Sequence, residues 1–331
     1  MGEQGFRSFG EQALHYFDRP HETAVTHQID SPAAWVGRDL PPLADMAYRL
    51  DDDEIAEIEA AMTVAKATGK ATRDLRASDF PLPRLSARIA EWRKTLGEGV
   101  GFQVVRGVPV ERWSQAEAEL FFWCLGLHLG HPGGQNAQGD LLGHVTDTKA
   151  KQLDEMVRLY QTSANIEYHC DAADVVGLLC LKKAKAGGHS RIVSSVTVFN
   201  ELVDRRPDLV ARLFEPFFLD QRNETKDGGP GAIPIPPCRY AGGKLRTFYH
   251  SDYFRSAQRH ADLPRFTPEE QDLLDTYEAI AAEPGIFLDM DLEPGDIQLL
   301  SNHTNLHART EYEDHADPAE RRHLLRLWLS L

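Results

Sequence analysis

The sequence has few cysteines, a deficit of basic residues and no long apolar run, and each shortage narrows the class of protein. Among its 331 residues are only four cysteines. They form neither a Cys-x-x-Cys pair nor the spacing of a disulfide framework, so we expect a reducing, cytoplasmic setting. Its 36 basic residues against 51 acidic ones give a net charge of −15. That balance argues against a nucleic-acid partner, because such binders present a basic surface.

Three further absences concern membranes and nucleotides. No stretch approaches the length of a membrane span, and the first residues lack the apolar region of a signal peptide, so we expect no membrane partner. No Gly-x-Gly-x-x-Gly or Walker-type loop is present to bind a nucleotide. What remains is an acidic chain, 42% hydrophobic, which can bury the core of a single domain over residues 1–331. Its composition favours a small-molecule partner and leaves a homo-oligomer open.

Two regions differ in their predicted secondary structure. Residues 1–98 are predicted to be mainly helical, since 51–70 and 85–96 carry apolar residues at helical spacing. Residues 99–331 contain short β-type runs such as "VVGLLCL" and "HLLRLWLSL", with a Gly-Gly hairpin signal in "RYAGGKLR". Helices are predicted at 114–129, 198–213 and 267–282. The pattern predicts an α+β fold with a mainly β core, a sandwich or jelly roll with peripheral helices.

His-x-Asp pairs are the first chemical signal, because a non-haem iron site takes two histidines and one carboxylate on one face of the metal. The chain contains four: His169 and Asp171, His250 and Asp252, His260 and Asp262, His315 and Asp317. The first pair follows the strand-like "ANIEY" and precedes an apolar strand, so both side chains project from one side of an extended segment. The second pair, in "TFYHSDYFR", is the serious rival. The other two lie in solvated turns.

Three segments together resemble the TauD/TfdA-type Fe(II)/2-oxoglutarate dioxygenase family of the clavaminate-synthase-like superfamily. They are "YHCDAADVVGLLCLKKAKAGGHS", "LEPGDIQLLSNHTNLHART" and "RRHLLRLWLSL". Four elements match in order: His-x-Asp, Gly-Gly-x-Ser/Thr, Asn-x4-His and a late Arg-x3-Arg. The resemblance covers the chain from about residue 100. It implies a double-stranded β-helix, or jelly roll, over about 99–331, with a large insertion at about 198–284 between the metal-ligand motifs.

The resemblance also implies the metal ligands and the cofactors. His169, Asp171 and His307 match the family's ligands of Fe(II). His307 is preferred to His303 because it follows Asn302 by five residues, as the family pattern requires. The co-substrates are 2-oxoglutarate and O2, and the expected reaction is hydroxylation of a C–H bond with release of succinate and CO2.

Three polar residues are assigned to the two organic molecules. Arg322 matches the family's anchor for the far carboxylate of 2-oxoglutarate, and Ser190 matches the hydroxyl that bonds the same carboxylate. Strand alternation places Arg322 and Arg326 on one face. We therefore expect Arg326 to bind an anionic group of the substrate, which is a carboxylate, a sulfonate or an amino acid. The alternative is that Arg326 pairs with a nearby Asp or Glu and stabilises its strand.

Other substrate-side candidates come from a predicted hairpin and a polar loop. They are Tyr249, His250, Tyr253 and Arg255, with Gln135, Asn136 and Gln138 in "HPGGQNAQGD". Loops on a rigid scaffold often carry function, but aromatic clusters more often serve packing and Gly-rich loops are more often simple connections.

Three alternative functions stay open. The same cofactors also support desaturation, cyclisation or oxidative decarboxylation. A zinc hydrolase would use the same His-Asp-His set with a bound water. A jelly roll that retains these residues without catalysis would be a ligand-binding module.

Overall fold

The computed structural model describes residues 6–147, 162–222 and 231–331, which form a mixed α/β fold with a sheet-rich core. The helices are α1 Phe9–Phe17, α2 Leu43–Met46, α3 Asp52–Ala67, α4 Ser86–Glu98, α5 Gln115–Leu129, α6 Ser195–Arg205, α7 Ser251–Ser256 and α8 Pro268–Ala281. The strands are β1 Tyr48–Arg49, β2 Phe102–Arg106, β3 His131–Pro132, β4 Leu142–Val145, β5 Ile166–His169, β6 Val175–Lys182, β7 Ala186–Gly187, β8 Ser190–Ser194, β9 Phe217–Asp220, β10 Ala232–Ile235, β11 Cys238–Ala241, β12 Lys244–Thr247, β13 Leu288–Met290, β14 Ile297–Ser301, β15 Asn305–Arg309, β16 Tyr312–Glu313 and β17 His323–Ser330.

Two sheets make the core. The larger runs in the order β1-β2-β14-β6-β17-β3, with β4 also paired to β17, and the smaller runs β13-β8-β15-β5. Val104, Val176 and Trp328 of the larger sheet share one buried cluster with Ile192 and Met290 of the smaller sheet. The two sheets therefore pack face to face, and polar side chains on their inner faces meet in the space between them.

The outer face of the larger sheet is covered by α3, α4 and α5. Leu325, Leu327 and Leu329 of β17 pack there against residues such as Trp92 of α4 and Phe121 of α5. Successive side chains of a strand point to opposite faces, so the alternate residues of β17, which include Arg326, turn inward. Within the described ranges, no helix has the length and apolar character needed to cross a membrane.

The outer face of the smaller sheet is covered by α6 and α8. In the sequence, both helices lie between the predicted metal ligands Asp171 and His307. Phe199 of α6 and Tyr277 of α8 pack on Val193 and Leu306. The helix predicted over 198–213 instead ends at Arg205, one residue short of Arg206, which precedes a proline and is therefore disfavoured in helical conformation.

The Gly-Gly hairpin is confirmed, with β11 and β12 paired antiparallel. Gly242 and Gly243 both have positive φ, 56° and 75°, as a two-residue turn of this kind requires. The expected continuation of this strand to His250 is wrong, because β12 ends at Thr247 and His250 immediately precedes α7. The insertion is therefore a hairpin followed by helices.

The N-terminal helix α1 is joined to the core through one buried carboxylate. Asp174 accepts hydrogen bonds from Arg19 Nη2 at 2.5 Å, His303 Nε2 at 2.8 Å, the Leu331 backbone N–H at 2.9 Å and His15 Nε2 at 3.0 Å. Burial opposes ionisation, but the bond from His303 and the charge of Arg19 hold the pKa of Asp174 well below its usual range. Asp174 therefore links both ends of the chain to the loop before β15.

We expect Asp174→Ala to lower the free energy of unfolding by roughly 3–5 kcal/mol, because it leaves buried partners unpaired. Urea unfolding at pH 7 measures this. Because the folded pKa is depressed, the contribution is complete above the unfolded pKa near ~4 and is lost as pH falls below it. The difference between the variant and the parent should therefore shrink below about pH 4.

The matched control is Asp53→Ala, which breaks an exposed ion pair with Arg84 and should cost less than about 1 kcal/mol. Equal losses in the two variants would contradict the role of Asp174.

Candidate active site

Paired strands bring the predicted ligands together. In the antiparallel pair β5 and β15, His169 lies opposite His307, and a register shift separates this pair from Arg309 opposite Ile166. Asp171 follows β5 by two residues. One ligand atom from each of His169, Asp171 and His307 lies within 4.8 Å of the other two, and the residues that the structure describes contain no second cluster of this kind.

Hydrogen bonds and charges prepare these side chains for a cation. His169 Nδ1 bonds the Glu167 carbonyl at 2.9 Å, which leaves Nε2 for the ion. Burial, together with the neighbouring His169, lowers the pKa of His307 to about 3, so this imidazole is neutral as a ligand must be. Burial alone would raise the pKa of Asp171, but Arg326 and the two histidines lower it below its usual value.

Asp171 is fixed in position by residues distant in sequence. Trp328 Nε1 donates to Asp171 Oδ2 at 2.9 Å, and the Asp171 backbone N–H donates to Asn302 Oδ1 at 3.0 Å. The amide of Asn302 donates in turn to the Ala173 carbonyl at 2.9 Å. Asn302, which the sequence pattern used only to select His307, thus holds the loop that carries Asp171. Trp328 was missed by sequence analysis.

The donor set fits a divalent transition metal. Two imidazole nitrogens and one carboxylate oxygen on one side are the set that non-haem Fe(II) takes. The rival pair is not assembled in this way. The ring of His250 lies beside His169 with centroids 5.0 Å apart and stacks on Tyr253 at 3.9 Å, while Asp252 is outside the cluster.

Two buried arginines, Arg309 and Arg322, lie near the cluster, since Arg309 follows His307 by two residues in β15. Arg309 and Arg322 are each 6% exposed, and Arg309 lies opposite Ser190 in the sheet. Arg309 Nη2 donates to the Thr162 carbonyl at 2.7 Å, whereas Arg309 Nε and Nη1 and Arg322 Nη1 are buried without a hydrogen-bond partner among the described residues. Burial, and next the charge of Arg322, lower the pKa of Arg309 to about 10. Buried, unpaired guanidinium donors are costly without an anion, so this arrangement is suited to a carboxylate.

Arg309 was also missed from the sequence. The available signal was its place two residues after His307 in "HAR", since residues two apart in a strand share a face. Ser190, as predicted, lies near this pair, and its Oγ is 3.1 Å from Gln298 Nε2, which donates to it. Tyr312 covers both guanidinium groups, with Arg309 and Arg322 at 4.8 and 5.2 Å from its ring centre.

A cavity of about 870 Å³ opens onto the cluster. Its lining includes His169 and Asp171, together with three of the predicted substrate-side residues, Arg326, His250 and Tyr253. Gln138 of the polar loop also lines it. Ser190, Arg309 and Arg322 are not part of this lining.

The other predicted substrate-side residues are elsewhere, which corrects the expectation that they face a substrate. Tyr249 is fully buried in the core, where it stacks on Tyr277 at 4.4 Å. Arg255 forms ion pairs with Asp275 and Glu278 of α8 at 2.8 and 3.0 Å.

The two remaining candidates, Gln135 and Asn136 of the polar loop, make different contacts. The side chain of Asn136 closes its turn by bonding Asp140 at 2.8 Å and is not in the cavity lining. Gln135 acts on Arg326 instead: its Oε1 accepts from Arg326 Nε at 2.7 Å and its Nε2 donates to the Arg326 carbonyl at 2.8 Å. Gln135 therefore orients the arginine rather than lining the cavity.

The fold and the His–Asp–His cluster define a metal-dependent oxygenase class, and comparison with known proteins agrees. Residues 65–328 match the taurine catabolism dioxygenase TauD, TfdA family. The chain belongs to this family, which confirms the resemblance and the expectation of a dioxygenase.

Two relatives align over nearly the whole chain. The FR-33289 synthase of Streptomyces rubellomurinus (strain ATCC 31215) is 33% identical over 307 residues, which cover 92% of this chain and 90% of the relative. The taurine hydroxylase-like protein SAT17 of Stachybotrys chartarum (strain CBS 109288 / IBT 7711) is 29% identical over 320 residues, 94% of this chain and 82% of the relative.

Solved structures share the fold. Asparagine oxygenase in complex with Fe(II), 2S,3S-3-hydroxyasparagine and succinate superposes with a TM-score of 0.68 at 18% identity, over 86% of this chain and 93% of that one. The non-heme iron oxygenase OrfP in complex with Fe and alpha-ketoglutaric acid gives a TM-score of 0.64 at 15% identity over the same shares.

We expect His307→Ala and Asp171→Ala to lose stoichiometric Fe(II) after anaerobic reconstitution, because each removes one of three donors. Metal analysis of the desalted protein measures this. His315→Ala, from a His-x-Asp pair outside the cluster, is the control and should bind iron like the parent. Loss of iron in His250→Ala, with retention in His307→Ala, would show that the ligand assignment is wrong.

Proposed function

We propose that this chain is an Fe(II)- and 2-oxoglutarate-dependent dioxygenase that hydroxylates a C–H bond of an anionic small molecule. The observation that carries the proposal is the placement of the His169–Asp171–His307 cluster beside the buried, unpaired donors of Arg309 and Arg322. Membership of the TauD, TfdA family supports it. Related folds in which asparagine oxygenase holds Fe(II), a hydroxylated amino acid and succinate favour hydroxylation over other oxidations.

The proposal extends to the architecture and the setting. The two face-to-face sheets are those of a double-stranded β-helix, with α6, α8 and the β11–β12 hairpin inserted between the metal-ligand motifs. The four cysteines are buried and unpaired, which agrees with a reducing compartment such as the cytoplasm.

His169, Asp171 and His307 would hold the iron. When bound, iron and 2-oxoglutarate supply the oxidation by O2, with release of succinate and CO2. The chain contributes position and charge. Trp328 and Asn302 keep Asp171 oriented, and His169 is fixed by the Glu167 carbonyl, so the ligands are already in place before the metal binds.

Arg322, Arg309 and Ser190 would bind the far carboxylate of 2-oxoglutarate. Two guanidinium groups in a buried site form charge-assisted bonds, which are stronger than neutral ones. The anion would also relieve the repulsion between Arg309 and Arg322, which lowers the pKa of Arg309. The site is thus complementary to an anion by charge as well as by geometry.

Arg326 is the proposed contact for the anionic group of the substrate. It lines the cavity and is 8% exposed. Its Nη1 lies 3.8 Å from Asp171 Oδ2, and its ring-face contact with Trp328 is 5.3 Å. The same arginine therefore also stabilises the charged form of Asp171, and the two roles need separate measurements.

We expect Arg322→Ala to raise the 2-oxoglutarate concentration for half-maximal succinate formation by at least about thirtyfold, because truncation of a buried charge pair costs roughly 2–5 kcal/mol. Arg322→Lys should restore only part of this, since lysine lacks the planar fork. Arg309→Ala should give a smaller increase in the same direction. Arg321→Ala, whose guanidinium donates to the loop carbonyls of His315 and Ala316, is the control. Unchanged co-substrate dependence in Arg322→Ala would contradict the assignment.

For Arg326→Ala we expect substrate affinity to fall by about tenfold or more, through loss of a charge-assisted contact, while 2-oxoglutarate binding stays near normal. Titration of the anaerobic Fe(II) protein with each ligand separates the two. Iron content should be measured in parallel, because Arg326 neighbours Asp171. Loss of iron or of thermal stability with unchanged substrate affinity would assign Arg326 to support of Asp171 alone.

A further inference from the structure

The cavity above the metal cluster is lined mainly by apolar side chains. They come from the N-terminal segment, the polar loop, β5 and the insertion: Phe6, Phe9, Ala13, Leu14, Phe17, Leu141, Ile166, Leu219, Ile233, Ile235, Phe248 and Trp328. At about 870 Å³, the cavity is near the upper end of the ~300–1,000 Å³ range of ligand sites. A free amino acid or a short sulfonate would leave much of this apolar wall in contact with water.

One wall is the helix α1, which turns an apolar face to the cavity. Phe9, Ala13, Leu14 and Phe17 line it, and their spacing places them along one side of a helix. The adjacent side of the helix is bonded to the core. Gln12 accepts from Ser330 Oγ at 2.8 Å, and the Tyr16 hydroxyl donates to the Asn302 carbonyl at 2.9 Å.

The exposure of Leu14 indicates that a ligand covers this wall. It is 69% exposed, more than the other large exposed hydrophobic side chains of the described residues, Val64 at 46% and Leu331 at 40%. Since α1 is held by Asp174 and Tyr16, Leu14 cannot turn inward without breaking those contacts. Apolar surface left in water is unfavourable by about 25 cal/mol per Å², so a ligand with an apolar part would gain by contact with it.

The charges around the cavity favour an anion. Arg7, Arg222 and Arg326 all line it, and the Nε atoms of Arg7 and Arg222 are buried with no hydrogen-bond partner in the part of the chain that the structure describes. Asp220, the acidic lining residue outside the metal cluster, is already bound by Arg259 at 2.8 Å and His260 at 3.4 Å.

We propose that the substrate is an amphipathic anion: a carboxylate, sulfonate or related group joined to an extended acyl or aryl body that packs on α1. The proposal deepens the function above and rests on it for the oxidation step. The apolar body occupies the side of Leu14 and Phe17, and the anionic group lies toward the arginines. Phe9–Phe17 is then a specificity element placed outside the metal cluster.

Calorimetric titration of the full chain, without oxygen and with Fe(II) and 2-oxoglutarate, tests the substrate class with two probes that share a carboxylate. 4-Phenylbutyrate should bind at least about tenfold more tightly than butyrate, because burial of an aromatic group is worth roughly 1.5–3 kcal/mol. Its binding should also show a negative heat-capacity change, the marker of apolar burial. Equal affinity for the two probes would overturn the proposal.

Two variants locate the contact. Leu14→Gln should weaken 4-phenylbutyrate binding by about three- to tenfold and leave butyrate and 2-oxoglutarate binding unchanged. Val64→Gln changes an exposed side chain on α3 and should change none of these. Leu14 is on the surface, so folding is not at risk. The same loss in both variants, or in neither, would overturn the placement on α1.

Assays of 2-oxoglutarate binding and succinate formation by the Fe(II)-loaded protein, together with the same probe titrations on metal-free protein, separate this proposal from the proposed function. If no 2-oxoglutarate binding or succinate formation occurs but the probe preference persists, the cavity assignment stands and the dioxygenase assignment fails. If succinate is formed with small polar acids and the probes bind equally, the function stands and the amphipathic substrate fails.

Discussion

The antiparallel pairing of β5 with β15 is the constraint on which the candidate site depends. It places His169 opposite His307, and the short turn after β5 then brings Asp171 to the same side. A slip of one residue in either strand would turn one histidine toward the α6–α8 layer, because side chains alternate across a sheet. The neighbouring pair β15–β8 extends the same alignment to Arg309 and Ser190. Register in the smaller sheet thus positions the metal ligands and the carboxylate site together.

Charge burial between the sheets follows from that alignment and supports the proposal that the site binds anions. Arg326 lies 3.8 Å from the buried Asp171, whereas some guanidinium donors of Arg309 and Arg322 lack a hydrogen-bond partner within the described ranges. A buried cation without a partner is strongly disfavoured, and the usual relief is a bound counter-ion. The buried donors of these arginines therefore favour binding of a carboxylate, such as the far carboxylate of 2-oxoglutarate. The same reasoning explains why sequence alone assigns Arg322 only through the family pattern: burial depends on the surrounding sheets, which alternation in one strand does not reveal.

Sequence predicted the parts of the site that are local and missed those that arise from distant contacts. His169 and Asp171 lie in one short segment, and the strand-like residues around them indicated their common direction. Trp328 bonds Asp171 across 157 positions of the chain, and no periodicity signals that contact. Tyr249 was misread because an aromatic residue beside His250 is equally compatible with packing, and α8 decides the matter by covering it. The helices were predicted to within a few residues where caps such as Asp51 and Thr267 mark them, while the end of α6 depended on a proline.

The contacts that hold α1 on the core connect the wall of the cavity to the metal cluster. Asp174 lies three residues after Asp171 and holds α1 through His15 and Arg19, and Tyr16 of α1 contacts Asn302, which bonds the Asp171 backbone. The wall of the cavity and the metal cluster therefore share one rigid support. Under the proposed placement of the substrate, changes on the cavity face of α1, such as at Leu14, would alter what the cavity accepts without moving that support. Substrate range can thus vary on α1 while the oxidation site between the sheets stays fixed.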